Sequence, residues 1–258
     1  MRTFDFSGKK VLVTGASRGI GLGVARGFAL AGADLAILAT GDSVLRAAEA
    51  LSEECGREVR ALVCDITDRA AVAREVGGLG RLDVLVNNAG LERITPILEP
   101  GDEVEATFRR IIEINVIGTY YVTREVVKTM QPGARIVITA SVWGRTAAPA
   151  FSAYSSSKHA NIGFMRALAA ELGPRGIAVN AVCPGWVRTD ASMLSLSKIA
   201  KREGRSEQDC LDEIMSAQAF PDLMEPGDVA GTYLFLASEQ AANITGQTLN
   251  VDRGELMA

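Results

Sequence analysis

Tyr154 and Lys158 stand four residues apart at the start of a segment with helical spacing that runs to Leu172, so one helix face presents a phenol beside an ammonium. Free tyrosine titrates at about 10 and a neighbouring cation favours the phenolate, so the pair predicts a proton donor and acceptor tuned toward neutrality. The same spacing also describes an ordinary exposed helix pair, and its chemistry depends on what faces it. Ser141 follows the apolar run Arg135–Ala140 at the carboxyl end of a strand, where open α/β sheets take ligands. Its hydroxyl is placed either to hydrogen-bond a substrate oxygen or to cap the next turn. Asn115 lies in an apolar helical stripe with Phe108, Ile111, Ile112 and Val122. An amide there needs partners, either an ordered water or a backbone group near the lysine.

A second constellation lies near the N-terminus. Thr14-Gly15-Ala16-Ser17-Arg18-Gly19-Ile20-Gly21 directly follows an apolar run and opens the first helix, which brings bare N–H groups and a positive helix end to the place of a pyrophosphate. Glycines also serve tight turns and close helix packing. The spacing is G-x-x-x-G-x-G instead of the commoner G-x-G-x-x-G.

The elements that must position these groups alternate. Short β-rich runs recur at Lys10–Thr14, Asp34–Ala39, Val59–Cys64, Asp83–Val86, Arg135–Ala140, Ile177–Val182 and Thr248–Val251, separated by longer segments of helical periodicity. Val11-Leu12-Val13 and Ile136-Val137-Ile138 are apolar on both faces, as strands covered by crossover helices on both sides must be. The expected class is α/β, a doubly wound parallel sheet of about seven strands. Ile20, Val24 and Phe28 form the stripe of the first helix and Gly32 ends it. Residues 185–226 break the alternation with a charged stretch, Lys201–Arg205, and with Trp186, Met193, Leu194, Leu196, Met215 and Phe220. Those apolar residues predict a helical lid at about 186–225, with a plain surface insertion as the alternative.

Composition removes other classes. The chain has 258 residues, 48% of them hydrophobic, and a formal net charge of −4 without blocks of like charge, which suits a sizeable core and gives no footprint for nucleic acid. Every stretch long enough to span a bilayer carries charge, and residues 1–10 lack the apolar core of a secretory signal, so a cytoplasmic protein with no membrane partner is expected. Cys55, Cys64, Cys183 and Cys210 are scattered and His159 is the single histidine, so neither a disulfide framework nor a His/Cys metal site is expected. A serine hydrolase would need a base and a G-x-S-x-G elbow; no elbow is present, and His159 reads as a helix neighbour of Lys158.

T-G-A-S-R-G-I-G (14–21), Asp65 after the third strand, N-N-A-G (87–90), Asn115 in N-V-I-G, Ser141, Y-S-S-S-K (154–158) and P-G-W-V-R-T (184–189) together resemble the short-chain dehydrogenases/reductases of the classical type. The likeness runs from Lys10 to Asp252, because T-G-Q-T-L-N-V-D (245–252) is similar to that family's last strand. It implies one Rossmann-like domain over 1–258 with strand order 3-2-1-4-5-6-7 and a nicotinamide cofactor. It also implies homotetramers or homodimers built on two long helices, here about Asp102–Met130 and Ser152–Leu172. The altered glycine spacing is that family's version. Arg253 departs from it, standing where glycine commonly follows Val-Asp.

Carried over residue by residue, the resemblance implies that Tyr154 exchanges a proton with the substrate oxygen and that Lys158 lowers the tyrosine pKa and holds the nicotinamide ribose. Ser141 steadies the developing alkoxide, and Asn115 holds a water that links Lys158 to solvent. Gly15, Ser17, Arg18, Gly19, Ile20 and Gly21 would cradle the cofactor, with Asp65 and Ile66 near the adenine and Asn88, Ala89 and Gly90 as floor. Pro184, Gly185, Val187 and Thr189 complete the expected cofactor set. NAD-specific relatives carry a carboxylate at the end of the second strand, where this chain has Ala39 and then Thr40; with Ser17 and Arg18 opposite, NADP is expected. NAD remains open if Asp42 turns inward.

Ser141, Trp143, Tyr154 and Trp186 are the expected substrate contacts, with Val142, Arg145, Leu91, Glu92, Arg93, Met193 and Leu194 as further lining. The function expected is an NADP-linked carbonyl reductase acting on a 3-oxoacyl-type or small ketone. The alternatives are an NAD-linked dehydrogenase of a sugar, polyol or hydroxy acid, and a non-catalytic cofactor-sensing scaffold, which generally loses the Tyr or Lys that this chain keeps.

Overall fold

The computed structural model describes residues 4–99 and 101–257, so the expected span of 1–258 extends past the described residues at both ends and at Pro100. Seven strands form one parallel sheet in the order β3-β2-β1-β4-β5-β6-β7. They are β1 (Lys10–Thr14), β2 (Asp34–Ala39), β3 (Val59–Val63), β4 (Val84–Asn87), β5 (Arg135–Thr139), β6 (Ala178–Pro184) and β7 (Thr248–Val251). The expected order and every expected strand are present, with ends shifted by one or two residues. The largest shift is at β6, which runs on through Cys183 and Pro184 because both pair with β7.

Alternate residues of the central strands feed two separate cores, the consequence of a two-residue repeat in a sheet covered on both faces. Val11, Val13 and Val137 pack in one core with Val24 and Phe28 of α1 (Gly19–Leu30). Leu12, Ile136 and Ile138 pack in the other with Val122, Ile162 and Met165. The chain reverses direction across the sheet between β1 and β4, and the crevice at the carboxyl ends there is where such sheets take ligands.

The helix expected over Asp102–Met130 is not continuous. It consists of α4 (Asp102–Ile112), a π-helical turn over Glu113–Gly118 and α5 (Thr119–Val126); α2 (Ser43–Cys55) and α3 (Arg69–Glu75) precede it. Single π turns insert one extra residue into a helix and rotate its face, and they concentrate at functional positions. This one contains Asn115. The second long helix, α6 (Ser152–Leu172), has the predicted bounds. The segment that breaks the alternation folds as α7 (Asp190–Glu203) and α8 (Glu207–Ser216), and α9 (Ala230–Ala237) then returns to the sheet.

Candidate active site

The glycine-rich turn is clamped to the segment that follows β4 by the side chains of Asn88 and of Thr14 at the end of β1. Gly15 has φ +65°, and a Cβ there would lie 2.6 Å from the Ala89 Cα, so both backbone conformation and space demand glycine. A Cβ on Gly21 would sit 2.3 Å from the Gly15 carbonyl oxygen. The Asn88 amide donates to the Thr14 and Gly15 carbonyls at 3.1 and 3.2 Å, and the Thr14 hydroxyl accepts from the Asn88 and Ala89 N–H groups at 3.0 Å each. The turn, β4 and the start of α1 thus hold one another in place.

From this turn a cleft of about 360 Å³ runs across the sheet to the tyrosine. Gly15, Ser17, Arg18, Gly19, Ile20, Gly21, Thr40, Asp65, Ile66, Asn88, Ala89, Gly90, Tyr154, Lys158 and Thr189 of the expected cofactor set line it. Pro184, Gly185 and Val187 do not; they wall a second, adjoining cavity, because β6 continues to Pro184 and carries them past the cleft. At the far end Ala39 and Thr40 face the same space as Ser17 and the exposed Arg18, and Asp42 is not part of the wall. Asp65 lines the cleft with its carboxylate committed: Arg110 binds one oxygen at 2.8 Å and the Thr67 hydroxyl the other at 2.8 Å. These bonds outweigh partial burial and hold its pKa down.

The reacting cluster stands where β5, α6 and the π turn meet. Lys158 is buried and donates to the Thr139 carbonyl oxygen at 2.8 Å, with its ammonium 5.4 Å from the centre of the Tyr154 ring. Burial lowers the Lys158 pKa to about 8. The Ser141 hydroxyl shares a cavity wall with the Tyr154 phenol and pulls its pKa down, and its oxygen accepts the Trp143 backbone N–H at 3.2 Å, so the residue both caps its turn and faces the tyrosine. The expected lowering of the Tyr154 pKa by the lysine is not what this arrangement produces. Desolvation comes first and the Glu92 carboxylate second, and together they push the phenol above its usual value against the pull of Ser141.

Asn115 is fully buried, and its partners are protein groups. Its amide oxygen accepts the Leu91 N–H at 2.7 Å, while its nitrogen donates to the Leu91 carbonyl at 3.0 Å and to the Ser157 hydroxyl at 2.9 Å. The backbone contact anticipated for this amide is therefore present, and it pins the segment after N-N-A-G against α6. Gly90 lies between the amide and the lysine: a Cβ there would be 3.3 Å from the Asn115 oxygen and 3.6 Å from the Lys158 ammonium.

Sequence reasoning missed Thr139 and Tyr233. The Thr139 hydroxyl meets the buried Tyr233 hydroxyl at 2.9 Å and the Asn88 amide oxygen at 3.2 Å, and its carbonyl holds Lys158. One residue thereby ties the glycine-rich turn, α9 and the lysine together. The available signal was position, since Thr139 lies two residues before Ser141 on extended backbone and shares its side of the sheet. Tyr233 gave none, because only folding brings α9 beneath β5.

Ser141, Trp143, Tyr154 and Trp186 line a second cavity of about 80 Å³, together with Val142, Glu92, Ser192 and the end of β6. The two indoles meet edge to face with centres 6.2 Å apart. Thr189 caps α7 by accepting the Ser192 N–H at 3.1 Å, and Ser192 returns its hydroxyl oxygen to the Thr189 N–H at 3.0 Å, so the entry to α7 is fixed beside this cavity. Trp186, Leu196, Ala200 and Cys210 form a small core of their own between α7 and α8. Five expected lining residues lie elsewhere, Leu91 among them as part of the cofactor cleft. Leu194 is exposed and Met193 packs into the helix pair, because successive α7 residues point in different directions; Arg145 reaches away to donate to the Asn250 amide oxygen at 3.0 Å. Arg93 lines the cofactor cleft instead. Arg253 occupies the left-handed region at φ +53°, the conformation for which glycine is the usual residue.

A glycine-rich turn at the switch point of a parallel sheet, leading to a Ser/Tyr/Lys cluster, defines a dinucleotide-linked oxidoreductase of Rossmann-like fold. The chain belongs to the short-chain dehydrogenase/reductase family. A family model described as enoyl-(acyl carrier protein) reductase matches residues 15–255. The oxidoreductase UcpA of Salmonella typhimurium is 37% identical over 97% of this chain and 95% of its own length. L-sorbose reductase from Gluconobacter frateurii, solved with NADPH and L-sorbose, superposes with a TM-score of 0.89 at 29% identity, covering 99% of each chain. An actinorhodin polyketide ketoreductase solved with NADPH gives 0.87 at 32% identity, covering 99% of this chain and 98% of that one. Among the described residues no helix is long and apolar enough to cross a membrane.

Proposed function

We propose that the protein is an NADP(H)-linked reductase of ketones, interconverting a carbonyl and a secondary alcohol. The observation that carries this reading is that Tyr154 belongs to both walls: it closes the end of the cofactor cleft and opens into the cavity that holds Ser141. A proton donor shared by two adjoining spaces suits a reaction in which one ligand gives a hydride and the other takes it with a proton. When bound, the nicotinamide supplies or accepts that hydride.

The residues fit such a cofactor. The cradle at Gly15 and Gly21 is closed to any side chain, as backbone approach to a pyrophosphate requires. Arg18, Ser17 and Thr40 offer a cation and two hydroxyls for a 2′-phosphate, with no carboxylate at Ala39 to oppose it. The NADPH named for the sorbose reductase and the ketoreductase supports the same choice.

Tyr154 gives its proton to the carbonyl oxygen in reduction and removes it in oxidation. Ser141 donates a hydrogen bond to the same oxygen, which favours the alkoxide-like charge of the transition state. Lys158 orients the ribose and places its ammonium 5.4 Å from the centre of the phenol ring. Asn115 positions the Leu91 backbone, and with it the segment that separates cleft from cavity. Within one domain, α7 acts as the lid over the cavity through Ser192, with α8 packed behind it.

The test is fluorescence titration of the purified protein with NADPH and NADH, followed by turnover of ketones with the cofactor that binds. Tighter NADPH binding with turnover is expected. Tighter NADH binding overturns the cofactor choice, and binding of neither overturns the oxidoreductase reading. Light scattering then tests the homodimer or homotetramer expected of the family.

A further inference from the structure

The cavity shared by Ser141 and Tyr154 contains a carboxyl group that the proposed reaction does not use. Among the residues that line it Glu92 is the only charged one; the rest are apolar side chains, hydroxyls, small residues and the indoles of Trp143 and Trp186. Glu92 follows the N-N-A-G turn by two residues, so β4 delivers it to the junction of cavity and cofactor cleft, and it lines both. It is held from two sides. Burial pushes the Glu92 carboxyl up against the pull of the Ser195 hydroxyl, buried on α7, and the Arg93 guanidinium donates to the Glu92 backbone carbonyl oxygen at 2.7 Å. It lines the same two spaces as Tyr154, whose phenol its charge pushes upward.

We infer that Glu92 selects the substrate, and that the site takes an uncharged polyhydroxylated ketone or the corresponding polyol, with Glu92 accepting a hydrogen bond from a hydroxyl beside the reacting carbon. This rests on the reading of the cavity as the place of carbonyl reduction. An ionised carboxylate only accepts, so the ligand must bring a donor to it. A 3-oxoacyl thioester offers a methylene and then a second carbonyl, and a plain ketone offers a methylene; either leaves the carboxylate desolvated without a partner. A keto acid brings a second negative charge into the same small space and is repelled. The flat indole surfaces give the C–H faces of a hydroxylated carbon chain an apolar wall, so hydroxyls are read on one side and carbon on the other.

Three ketones of nearly equal size separate these cases: 1-hydroxy-2-butanone, 3-pentanone, in which a methyl replaces the hydroxyl, and 2-oxobutanoate, in which a carboxylate replaces the hydroxymethyl group. With NADPH the hydroxyketone is expected to have a kcat/KM at least about tenfold above 3-pentanone, a difference of about 1.4 kcal/mol, with 2-oxobutanoate the poorest. Glu92→Leu erases the hydroxyketone preference, chiefly through KM, and Glu92→Gln raises turnover of 2-oxobutanoate. A parent enzyme that prefers 3-pentanone or 2-oxobutanoate, or variants that leave both ratios unchanged, overturns the inference.

A second measurement does not depend on turnover. Xylitol should raise the unfolding temperature of the NADP⁺-loaded protein and not that of loaded Glu92→Leu. If NADPH binds and no ketone is reduced, the proposed reaction fails while the xylitol result still decides the role of Glu92. Absence of a xylitol effect on the parent protein overturns that role.

Discussion

The cofactor cleft and the substrate cavity share Tyr154 but are built from different material. The cleft is made largely of backbone: Gly15 against Ala89, the Asn88 amide on the Thr14 and Gly15 carbonyls, and the carboxyl ends of β1 and β4. The cavity is made largely of side chains from separate pieces, with Ser141 and Trp143 after β5, Tyr154 on α6, Trp186 after β6 and Ser192 on α7. A wall of backbone accepts one ligand geometry and changes little when side chains change. A wall of side chains is rewritten by a few substitutions. On the function proposed, the first carries the chemistry common to the family and the second the choice of substrate.

Tyr154→Phe should break the link between the two regions most completely. Turnover is expected to fall by roughly 10²–10⁴-fold, the range for loss of a positioned general acid or base, with NADPH affinity nearly unchanged. Single-turnover kinetics alongside fluorescence titration would show it, and retained turnover would remove Tyr154 from its role. Gly15→Ala strikes the backbone wall instead. The left-handed φ and the 2.6 Å approach to Ala89 predict a loss of about 1–3 kcal/mol in stability, with weakened NADPH binding, in thermal unfolding and titration.

Ala39→Asp changes only the chemistry at the far end of the cleft. A carboxylate facing a 2′-phosphate should shift the ratio of NADPH to NADH affinity by about tenfold toward NADH, or about 1.4 kcal/mol. Unchanged preference would show that Arg18 and Thr40 do not read the phosphate.

Glu92→Gln tests how the cavity acts back on the shared tyrosine. Glu92 raises the Tyr154 pKa, so its neutralisation lowers that pKa, and the ascending acid-side limb of the alcohol-oxidation profile should move to lower pH. A limb that stays in place, or moves up, would separate the two residues electrically.

Lys158→Met should have the smallest effect on the fold and the opposite sign from most substitutions. The folded-state pKa of about 8 lies below the ordinary lysine value, so the unfolded chain binds the proton more tightly between about pH 8 and 10.4. Stability from this group therefore rises with pH across that window, and its penalty is fully present below it. At pH 7 the methionine variant should melt a few degrees higher while losing activity, a trade expected of a buried charge kept for function. Equal or lower melting would mean that the Thr139 carbonyl bond offsets the burial.

What could be read beforehand follows the same division. The central strands were visible because apolar runs on both faces are distinctive, and Tyr154–Lys158 and the glycine-rich turn were visible because a local spacing puts them on one face or at one helix start. The interruption at Asn115 was not visible: the apolar stripe on either side continues, and the extra residue of a π turn leaves no local mark. The direction of the Tyr154 pKa was misjudged for a related reason. Spacing places a lysine near the phenol, but burial and the carboxyl of Glu92, sixty-two positions away in the chain, outweigh it.

The amino-acid sequence by itself determined the parallel α/β architecture, the place of the cofactor turn and the Ser141, Tyr154 and Lys158 set, because periodicity and short-range spacing are properties of neighbouring residues. Only the tertiary structure decided which side chains share a cavity, how far each is desolvated, and that Thr139, Tyr233 and Glu92 stand among them. Those outcomes depend on where distant segments meet, and electrostatics at close range depends on that meeting rather than on residue type.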